Sequence, residues 1–571
     1  MDLPRLDFKT LRREIIGVDQ SLETPFGERL LVYADYTASG RCLGFVERYL
    51  NRLEALYANS HTEDDASGRA ATALLHQAEQ QIKDAVNAGP AGRIIATGAG
   101  ATGAIDKVQQ LVGVRLPGAT RALLDGLLGE YLRDSYTDTK KWRRFLENHQ
   151  PVVFVGPYEH HSNEISWREG LATVVEVRQK EDGGIDIEHL QALLRDSAYQ
   201  DRLRIGSFSA ASNVTGIKTD VPRIARLLHG HGALAFFDYA ASAPYVPIDM
   251  NPAEDPEAAL DAIFISPHKF LGGPGSSGVL VFNQRLYHRE LPPSLAGGGT
   301  VEYVGPLDHD FIEDIETREK AGTPGILQTL RAALAFQVKE AAGIENIEAR
   351  EAALTRRAMA RWADNPRIEN LGNPDPERRI GIISFNLRDA EGLYLHPRFV
   401  TVLLNDLFGI QSRAGCSCAG PYGHRLLGID ETHARHYRDW VHRGYQGIKP
   451  GWCRIGFHYV FDDAEADYLI DAVEFTAAHG DKFLPLYHFD THSGIWIHKQ
   501  DSTRPPTLSL ADAFSNNNPA AAPLPETERH QRYRDYAAAA VEWLKQLPPK
   551  GAENSATLDP GLEEVQFFRL A

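Results

Sequence analysis

Six short apolar runs in the middle of the chain constrain its fold most strongly. Several are rich in Val, Ile and Phe and lack a strict apolar–polar alternation, which is typical of strands covered on both faces. The runs occupy residues 93–97, 152–155, 204–209, 234–237, 262–266 and 278–282. Helical patterns lie between them, as in residues 221–229, where a proline stands near the start. Strands that alternate with helices predict an α/β fold with a mostly parallel sheet, in which ligands bind at the C-terminal ends of the strands.

The same patterns predict how the chain divides into domains. Runs at residues 380–386 and 452–457 indicate a smaller α/β lobe. After residue 482 we expect a loosely organised extension, because segments rich in Pro, Asn and Ala stand at residues 504–506, 516–518 and 520–523, with one amphipathic segment at 536–547. We therefore predict an N-terminal segment that joins the small lobe (1–30), a large domain (31–340), the small lobe (341–481) and a C-terminal extension of unknown role (482–571).

Charge and composition exclude several classes of protein. The 60 basic and 77 acidic residues leave a formal net charge of −17, which argues against a nucleic acid or a membrane as the partner. No stretch of about 18 apolar residues and no signal-peptide core is found, so we expect a cytoplasmic protein. The cysteines are too few for a disulfide scaffold, and without a second pair of ligands we expect no metal site; they are Cys42, Cys416, Cys418 and Cys453.

A lysine stands directly after one of the apolar runs. Lys269 lies in the segment SPHKFLGGPG (266–275), which leads from the run into a glycine-rich loop. A lysine at the edge of a sheet, with room for a bulky ligand, can form a Schiff base with an aldehyde. Taken alone, the segment is more typical of an ordinary surface lysine.

Asp238 favours the chemical interpretation of Lys269. It follows another apolar run and precedes Lys269 by 31 residues, about the length of one strand–helix–strand unit. We therefore expect the two residues at the ends of neighbouring strands. An aspartate that faces a pyridine nitrogen keeps that nitrogen protonated, which makes the ring an electron sink. The alternative is an aspartate that caps the next helix.

Two further loops suit a phosphorylated aromatic ligand. Residues 98–103 (GAGATG) follow a strand and open a helix, where backbone N–H groups and the helix dipole can bind a phosphate. Ordinary tight turns use the same small residues. His160 lies in the loop YEHHSN (158–163) and can stack on an aromatic ring, although a single histidine is more often structural.

Eight runs stand in a fixed order along the chain: YADYTASG (33–40), ANSHTEDDASGR (58–69), GAGATGAID (98–106), YEHHSN (158–163), SNVTG (212–216), FDYAASAP (237–244), SPHKFLGGPGSSGVLV (266–281) and KAGTP (320–324). Together they resemble the class V aminotransferase family, which are pyridoxal-phosphate (PLP) enzymes of fold type I. RAGCSCAGP (413–421) resembles the Arg-x-Gly-x-x-Cys-Ala segment of group II cysteine desulfurases and selenocysteine lyases. The stretch from there to WCRIGFHY (452–459) is also similar to the aminotransferase-like domain of molybdenum cofactor sulfurases.

The resemblance covers about residues 30–480 and implies a mostly parallel seven-stranded sheet flanked by helices, with PLP bound in the large domain. It also implies roles for matching residues around the cofactor ring. Lys269 would be linked to the PLP aldehyde, and Asp238 would pair with the pyridinium nitrogen. His160 would stack on the ring, and Asn213 would contact the ring's phenolic oxygen and the substrate.

The resemblance further implies how phosphate and substrate are held. The phosphate would be bound by Ala101, Thr102, Ser266 and His268. Thr300 would reach the phosphate of a partner subunit's cofactor, because such enzymes are commonly homodimers. Arg454 would bind the carboxylate of a small amino-acid substrate, and Arg413 would add positive charge.

Three positions depart from the family's pattern. Ala241 stands where the family usually has Gln, so a hydrogen bond near the cofactor oxygen is missing or replaced. Pro267 replaces the usual Gly before His-Lys and stiffens the loop. Cys416 stands where group II desulfurases typically carry His.

Cys418 decides between the activities that the family allows. In a cysteine desulfurase or selenocysteine lyase, Lys269 removes the α-proton of the substrate and the Cys418 thiolate attacks its sulfur, which gives a persulfide and alanine. Positive charge from Arg413 and His424 would favour the thiolate. Flexibility would come from Gly415, Gly420 and Gly423. The alternative is that Cys416 and Cys418 are small packing residues.

Two other functions remain open. One keeps the cofactor but catalyses another reaction, such as a C–S lyase, epimerase or aminotransferase reaction on a different amino acid. The other is a sulfur-transfer scaffold that has lost turnover and uses its C-terminal extension to dock a partner. That partner could be an acceptor protein for sulfur. The presence of Lys269, Asp238 and the phosphate loop argues against the scaffold.

Overall fold

The computed structural model describes residues 4–60, 62, 64–131, 139–500, 509–514, 522–547 and 561–570. His61 and Glu63 of the run at 58–69, and the low-complexity segments expected at 504–506, 516–518 and 520–521, lie outside these residues. Contacts group the chain into two compact units. The first comprises Met1–Arg5, Ser39–Ser212 and Ile217–Ile344, and the second comprises Leu6–Ala38, Asn213–Gly216 and Glu345–Ala571. The four-part division expected from the sequence stays a prediction.

The helices of the described residues are α1 (Phe8–Glu14), α2 (Gly44–Glu54), α3 (Ala66–Ala85), α4 (Ala101–Leu111), α5 (Gly118–Tyr131), α6 (Thr139–His149), α7 (Ile165–Arg168), α8 (Ile187–Arg195), α9 (Val221–His229), α10 (Ile315–Arg318), α11 (Ile326–Ala342), α12 (Ile344–Trp362), α13 (Pro397–Phe408), α14 (Gly420–Leu426), α15 (Glu431–His442), α16 (Asp463–His479) and α17 (Glu526–Gln546). No helix in this part of the chain is both long enough and apolar enough to cross a bilayer.

The strands of the described residues are β1 (Ser21–Thr24), β2 (Gly27–Leu30), β3 (Val32–Tyr33), β4 (Gly92–Thr97), β5 (Val152–Val155), β6 (Thr173–Glu176), β7 (Arg204–Ser209), β8 (Leu234–Asp238), β9 (Ala262–Ile265), β10 (Gly278–Asn283), β11 (Val301–Val304), β12 (His309–Phe311), β13 (Ile368–Asn370), β14 (Ile382–Leu387), β15 (Ile410–Gln411), β16 (Arg413–Gly415), β17 (Trp452–Gly456), β18 (Tyr487–Asp490) and β19 (Ile495–His498).

The first unit contains the seven-stranded sheet that the sequence predicts. Its order is β4-β10-β9-β8-β7-β5-β6, and only β10 runs antiparallel to its neighbours. All six predicted runs are strands, and the prediction of an α/β fold with a mostly parallel sheet is confirmed. The seventh strand, β6, has no apolar run of its own because it is short and half-exposed at the edge of the sheet.

Burial explains why the central strands read as continuous apolar runs. Every residue of β5, β7 and β9 is buried, and α4 packs over the sheet from one face. Phe236 and Phe264 face each other edge-on, with ring centroids 6.2 Å apart. Burying such a side chain contributes about 1.5–3 kcal/mol. This core fixes the ends of β8 and β9, where the candidate site begins.

The second unit is built around the four-stranded sheet β13-β14-β17-β16. The predicted strands at residues 380–386 and 452–457 are observed as β14 and β17, with ends shifted by one or two residues. Helices α13 and α16 pack together in this unit, and β3 and β15 form a short parallel pair.

Part of the expected loose extension is ordered structure. Strands β18 and β19 form a hairpin that packs on α13, because Tyr487 and Trp496 bury one of its faces. Helix α17 packs against α13 and α16, and its Tyr533 stacks on Tyr468 with ring centroids 4.3 Å apart. The predicted amphipathic segment at 536–547 covers only the second half of α17. The expectation that the whole extension is loosely organised is therefore wrong for these residues.

A buried histidine in the second unit gives an acid-sensitive contribution to stability. His396 is fully buried, its Nε2 bonds to the Gly447 carbonyl at 2.8 Å, and its Nδ1 accepts from the Arg398 N–H at 3.2 Å. Burial lowers the pKa of His396 to about 4. The unfolded chain therefore binds the proton first as the pH falls from about 6.5 towards 4, which lowers the free energy of unfolding.

We expect His396→Asn to weaken this pH dependence. Between pH 7 and pH 5, His396 alone should cost the wild type about 2 kcal/mol of its free energy of unfolding, and the variant should be spared that loss. Urea unfolding at both pH values measures the difference. His488→Asn, on the exposed face of β18, is the control and should behave as the wild type. An identical pH dependence in wild type and His396→Asn would contradict the assignment.

Candidate functional site

The first unit brings Asp238 and Lys269 together at one edge of its sheet. Asp238 ends β8, and its parallel neighbour β9 leads into the turn Pro267–Lys269, so the predicted neighbouring strands are observed. The expected helix between them is wrong, because the connection contains only the 3-10 turn Pro256–Ala258. Asp238 is buried, and its Oδ1 accepts from the Ala240 N–H at 2.8 Å. Burial raises the pKa of Asp238 above its ordinary value. The Ala240 N–H and the Lys269 charge offset only part of that rise. The pair can hold a cationic ring nitrogen at the carboxylate and an aldehyde at the amine.

A close backbone approach fixes the turn that carries Lys269. The Gly40 N–H donates to the His268 carbonyl at 2.9 Å. A Cβ on Gly40 would lie only 1.9 Å from the Phe270 carbonyl oxygen, so no other residue fits there. The glycine that ends the run YADYTASG therefore has a packing reason for its identity.

The loop before α4 forms a cradle for an anion. The Ala101 N–H, at the start of α4, donates to Ser266 Oγ at 2.8 Å. A Cβ on Gly100 would meet Ser266 Oγ at 3.1 Å and His268 Nε2 at 3.4 Å, so the space above the glycine is lined by a hydroxyl and an imidazole. Burial lowers the pKa of His268 to about 4, so its ring is neutral at pH 7.

His160 lies in a loop that is tied to this cradle. Thr102 is exposed, and its Oγ1 bonds to Ser162 Oγ at 2.7 Å. The Ser162 N–H donates to Nδ1 of the half-buried His160 at 3.1 Å. The phosphate loop and the histidine loop are thus joined by one serine.

Glu159 is a site residue that the sequence did not reveal. It is buried and accepts from the Ser209 N–H at 2.8 Å, from Ser209 Oγ at 2.7 Å and from Asn163 Nδ2 at 2.7 Å. Burial raises the pKa of Glu159 to about 7, and the Asp238 charge adds to that rise. The carboxylate anchors the neighbouring His160 loop to β7. Its only sequence signal is its place in YEHHSN, because its partner Ser209 lies 50 residues away.

These residues fit PLP, which the family resemblance implies. The cradle over Gly100 offers a helix N-terminus, hydroxyl groups and a neutral imidazole, which are donors that suit a phosphate. Asp238 suits a ring nitrogen, and Lys269 suits an aldehyde. No group of three or more His, Cys, Asp or Glu side chains that could hold a metal ion is found where the structure describes the chain.

Three other predicted positions are placed as follows. Thr300 is fully buried, and its hydroxyl donates to the Gly297 carbonyl of its own loop at 2.8 Å. Ala241 is buried and supplies no side-chain hydrogen bond. Pro267 is the first residue of the Lys269 turn, a position where its missing N–H and fixed φ are favourable.

The second unit holds the predicted carboxylate-binding arginine. Arg454 lies in β17 and is buried. Its Nη1 donates to the Asn213 carbonyl at 3.0 Å, and its Nη2 pairs with Asp35 Oδ1 at 3.1 Å. Nε is buried and has no hydrogen-bond partner among the described residues. Burial lowers the pKa of Arg454 below its ordinary value, and the charge of Asp35 offsets only part of that decrease.

Asp35 links the two arginines and was missed at the sequence level. Its Oδ2 accepts from Arg413 Nε at 2.8 Å, while its Oδ1 pairs with Arg454. Two arginines and one carboxylate leave one net positive charge, which matches a single substrate carboxylate. The partners of Asp35 are 378 and 419 residues away, so no local pattern reports them.

Cys416 and Cys418 lie in a tight turn between β16 and α14. Both are exposed, and the Ala419 N–H donates to the Cys416 carbonyl at 3.0 Å. The two central residues have positive φ, 51° at Ser417 and 56° at Cys418. Cys418 also interacts electrostatically with Arg454. The predicted nucleophile is therefore exposed and interacts electrostatically with a guanidinium.

Two side chains hold this turn in place. Asn213 Nδ2 donates to the Ser417 carbonyl at 2.7 Å, and Trp452 Nε1 donates to Ser417 Oγ at 3.2 Å. Asn213 Oδ1 is buried without a hydrogen-bond partner in the described part of the chain. Asn213 therefore connects Arg454 to the cysteine turn, which the sequence did not reveal.

Gly423 corrects one expectation about flexibility. It lies inside α14 and is buried, and a Cβ there would meet the Trp452 ring at 2.9 Å. Gly423 therefore serves close packing, and the idea that it makes the loop flexible is wrong. His424 and Arg413 are exposed at the two ends of the segment.

The chain is similar in sequence to known proteins. A family model described as "Aminotransferase class-V" matches residues 140–469. A probable cysteine desulfurase of Streptomyces coelicolor is 27% identical over 486 residues, 82% of this chain and 97% of that protein. A probable cysteine desulfurase of Halalkalibacterium halodurans is 30% identical over 273 residues, 47% of this chain and 62% of that protein. The chain thus matches less than two thirds of the length of this second relative.

A solved structure shows the same fold. The apo cysteine desulfurase of Thermococcus onnurineus matches with a TM-score of 0.60 and 20% identity, covering 78% of this chain and 94% of that chain. At this identity the likeness bears on the fold alone. It confirms the fold class that the sequence predicts, an α/β protein with the fold type I arrangement.

Proposed function

The chain belongs to the aminotransferase class-V family, and from this membership we propose that it is a PLP-dependent cysteine desulfurase or selenocysteine lyase-like enzyme. It removes sulfur or selenium from a cysteine-type amino acid and releases alanine. The observation that carries the proposal is the exposed Cys418 thiol in a turn with positive φ, together with its electrostatic interaction with Arg454. The relatives named probable cysteine desulfurase support the same activity.

The first unit supplies the residues proposed to hold the cofactor. Lys269 would bind the aldehyde of the cofactor, Asp238 would keep a proton on its ring nitrogen, and His160 would stack on its ring. The Ala101 N–H and the side chains of Thr102, Ser266 and His268 would bind its phosphate, and Thr300 would reach a partner subunit's cofactor. Bound there, PLP supplies an electron sink for the electrons left when the substrate's α-proton is removed.

The second unit supplies the residues proposed to act on the substrate. Arg454 binds the carboxylate, oriented by Asp35 and supported by the charge of Arg413. Asn213 contacts the cofactor's phenolic oxygen and the substrate. Lys269 takes the α-proton and later returns a proton to carbon. The Cys418 thiolate attacks the substrate sulfur, so a sulfur–sulfur bond forms while the carbon–sulfur bond breaks and alanine leaves.

We extend the proposal to a homodimer that works in the cytoplasm and passes its sulfur to an acceptor. A second candidate is another PLP-dependent reaction of the family, such as a C–S lyase, epimerase or aminotransferase reaction. Ala241 and Pro267 favour this candidate, because both alter the immediate surroundings of Asp238 and Lys269.

A product assay with L-cysteine separates the two candidates. The PLP-loaded protein should convert L-cysteine to alanine, measured by chromatography with sulfide and pyruvate in the same samples. Alanine supports sulfur transfer to Cys418, whereas pyruvate would show β-elimination and favour a C–S lyase. A protein that takes up PLP and turns over neither L-cysteine nor other amino acids would revive the scaffold interpretation.

A further inference from the structure

Cys416 has no role in the proposed mechanism, although it is exposed, as Cys418 is. Cys416 and Cys418 are both exposed and are separated by one residue. Extended chain spans at most about 3.6 Å per residue, so Cα atoms two residues apart lie within about 7 Å of each other. The hydrogen bond from the Ala419 N–H to the Cys416 carbonyl closes the turn and shortens that separation. A disulfide bridges Cα atoms about 4.4–6.8 Å apart.

The backbone of this turn is strained. Of the described residues other than glycine, only Asp19, Asn87, Ser417 and Cys418 have positive φ. Two consecutive positive φ values define the geometry of a type I′ turn, which strongly prefers Asn and Gly. Ser and Cys carry a Cβ that this conformation brings too close to the following carbonyl oxygen. Strain of this kind persists only where surrounding contacts impose it, and it concentrates at functional sites.

Two side chains of the described residues contact Ser417. Asn213 Nδ2 binds its carbonyl and Trp452 Nε1 binds its hydroxyl, so the central residue is held while the two thiols on either side stay exposed. Arg454 interacts electrostatically with Cys418, and Arg413 begins β16, the strand that leads into the turn. Asp35 pairs with both guanidinium groups.

We propose that Cys416 is a resolving cysteine that releases sulfide from the Cys418 persulfide within the same turn. This inference rests on the proposed function, which supplies the persulfide. The Cys416 thiolate attacks the Cys418 sulfur, so a Cys416–Cys418 disulfide forms. The bond from Cys418 to the outer sulfur breaks, and the electron pair leaves with that sulfur as hydrosulfide. An external dithiol then donates two electrons and two protons and restores both thiols.

This step changes what the enzyme needs from its surroundings. A persulfide on a lone cysteine waits for a thiol or an acceptor protein to remove the sulfur. With Cys416 beside it, sulfide leaves without an acceptor, and only a dithiol reductant is required for the next turnover. The replacement of the family's usual His by Cys at position 416 thereby acquires a chemical consequence.

A single turnover without reductant tests the inference. The PLP-loaded protein, freed of reductant under anaerobic conditions, receives one equivalent of L-cysteine, and alanine, sulfide and the intact protein mass are measured. The wild type should yield one sulfide for each alanine, with a polypeptide lighter by two hydrogen atoms. Cys416→Ser should yield the same alanine but no sulfide, with a polypeptide heavier by one sulfur atom.

A matched control and two distinguishable failures complete the design. Cys42→Ser, in the first unit and outside the turn, should behave as the wild type. If alanine forms but the wild type also keeps the extra sulfur and releases no sulfide, the resolving role is wrong and the desulfurase proposal stands. If no variant and no wild-type sample forms alanine, the desulfurase proposal fails and the resolving role fails with it.

Discussion

Lys269→Ala should abolish alanine formation from L-cysteine while leaving the protein folded. The lysine is proposed both to hold the cofactor and to move the α-proton, and loss of the proton-transfer role alone lowers a rate by about 10²–10⁴-fold. Its side chain is only half-buried, so its removal should leave the packing of β8 and β9 intact. Turnover of L-cysteine and urea unfolding, measured on the same preparations, check both parts.

A second readout separates a lost linkage from a damaged fold. Borohydride reduction of the loaded wild type should leave pyridoxyl mass on the peptide that carries Lys269, and the variant should carry none. Lys180→Ala is the control, because Lys180 is partly exposed and pairs only with Glu188 among the ion pairs of the described residues. A Lys269→Ala protein that keeps wild-type turnover would sink the proposed function at its first step.

The part of the site that follows from strand order could be predicted from the sequence. Asp238 and Lys269 follow consecutive strands of the chain, and parallel pairing of β8 with β9 brings both to one edge of the sheet, although the connection between the strands contains only the short 3-10 turn Pro256–Ala258 instead of the expected helix. The loop before α4 likewise follows β4, so its cradle has a local signature. In these cases a short pattern and the topology of a parallel sheet are sufficient.

The site residues that could not be predicted from the sequence act through contacts that no local pattern encodes. Asp35 joins Arg413 to Arg454 across almost the whole length of the second unit's sequence, and Glu159 reaches back to β7 from the histidine loop. Both lie in runs that carry the family resemblance, YADYTASG and YEHHSN, but the runs do not show what each carboxylate binds. Only their partners, which are fixed by the fold, distinguish them from surface acids.

The backbone of the cysteine turn also escaped prediction for a physical reason. Gly and Asn are the residues that usually adopt positive φ, whereas here Ser417 and Cys418 adopt it. Their conformation is imposed from outside by Asn213 and Trp452. A turn whose shape is set by tertiary contacts cannot be read from its own residues.

Cys418→Ala should remove alanine formation from L-cysteine and spare it from L-selenocysteine. Without a thiolate to accept the outer atom, the carbon–sulfur bond lacks its nucleophile, and we expect at least about a 100-fold lower rate with L-cysteine. Selenium leaves carbon more readily than sulfur, so the alanine rate with L-selenocysteine should fall far less. Parallel alanine assays with the two substrates measure the ratio.

Cys453→Ala separates this effect from a general loss of thiols. Cys453 is buried in β17, and burial raises the pKa of its thiol to about 11, so it holds no thiolate at neutral pH. The control should therefore retain turnover of both substrates. Equal losses with L-cysteine and L-selenocysteine in Cys418→Ala would mean that the residue supports the turn rather than attacks the sulfur. Because Asn213 and Trp452 bind Ser417 and not Cys418, removal of the thiol should leave the turn in place, and an unequal loss is the outcome that the geometry favours.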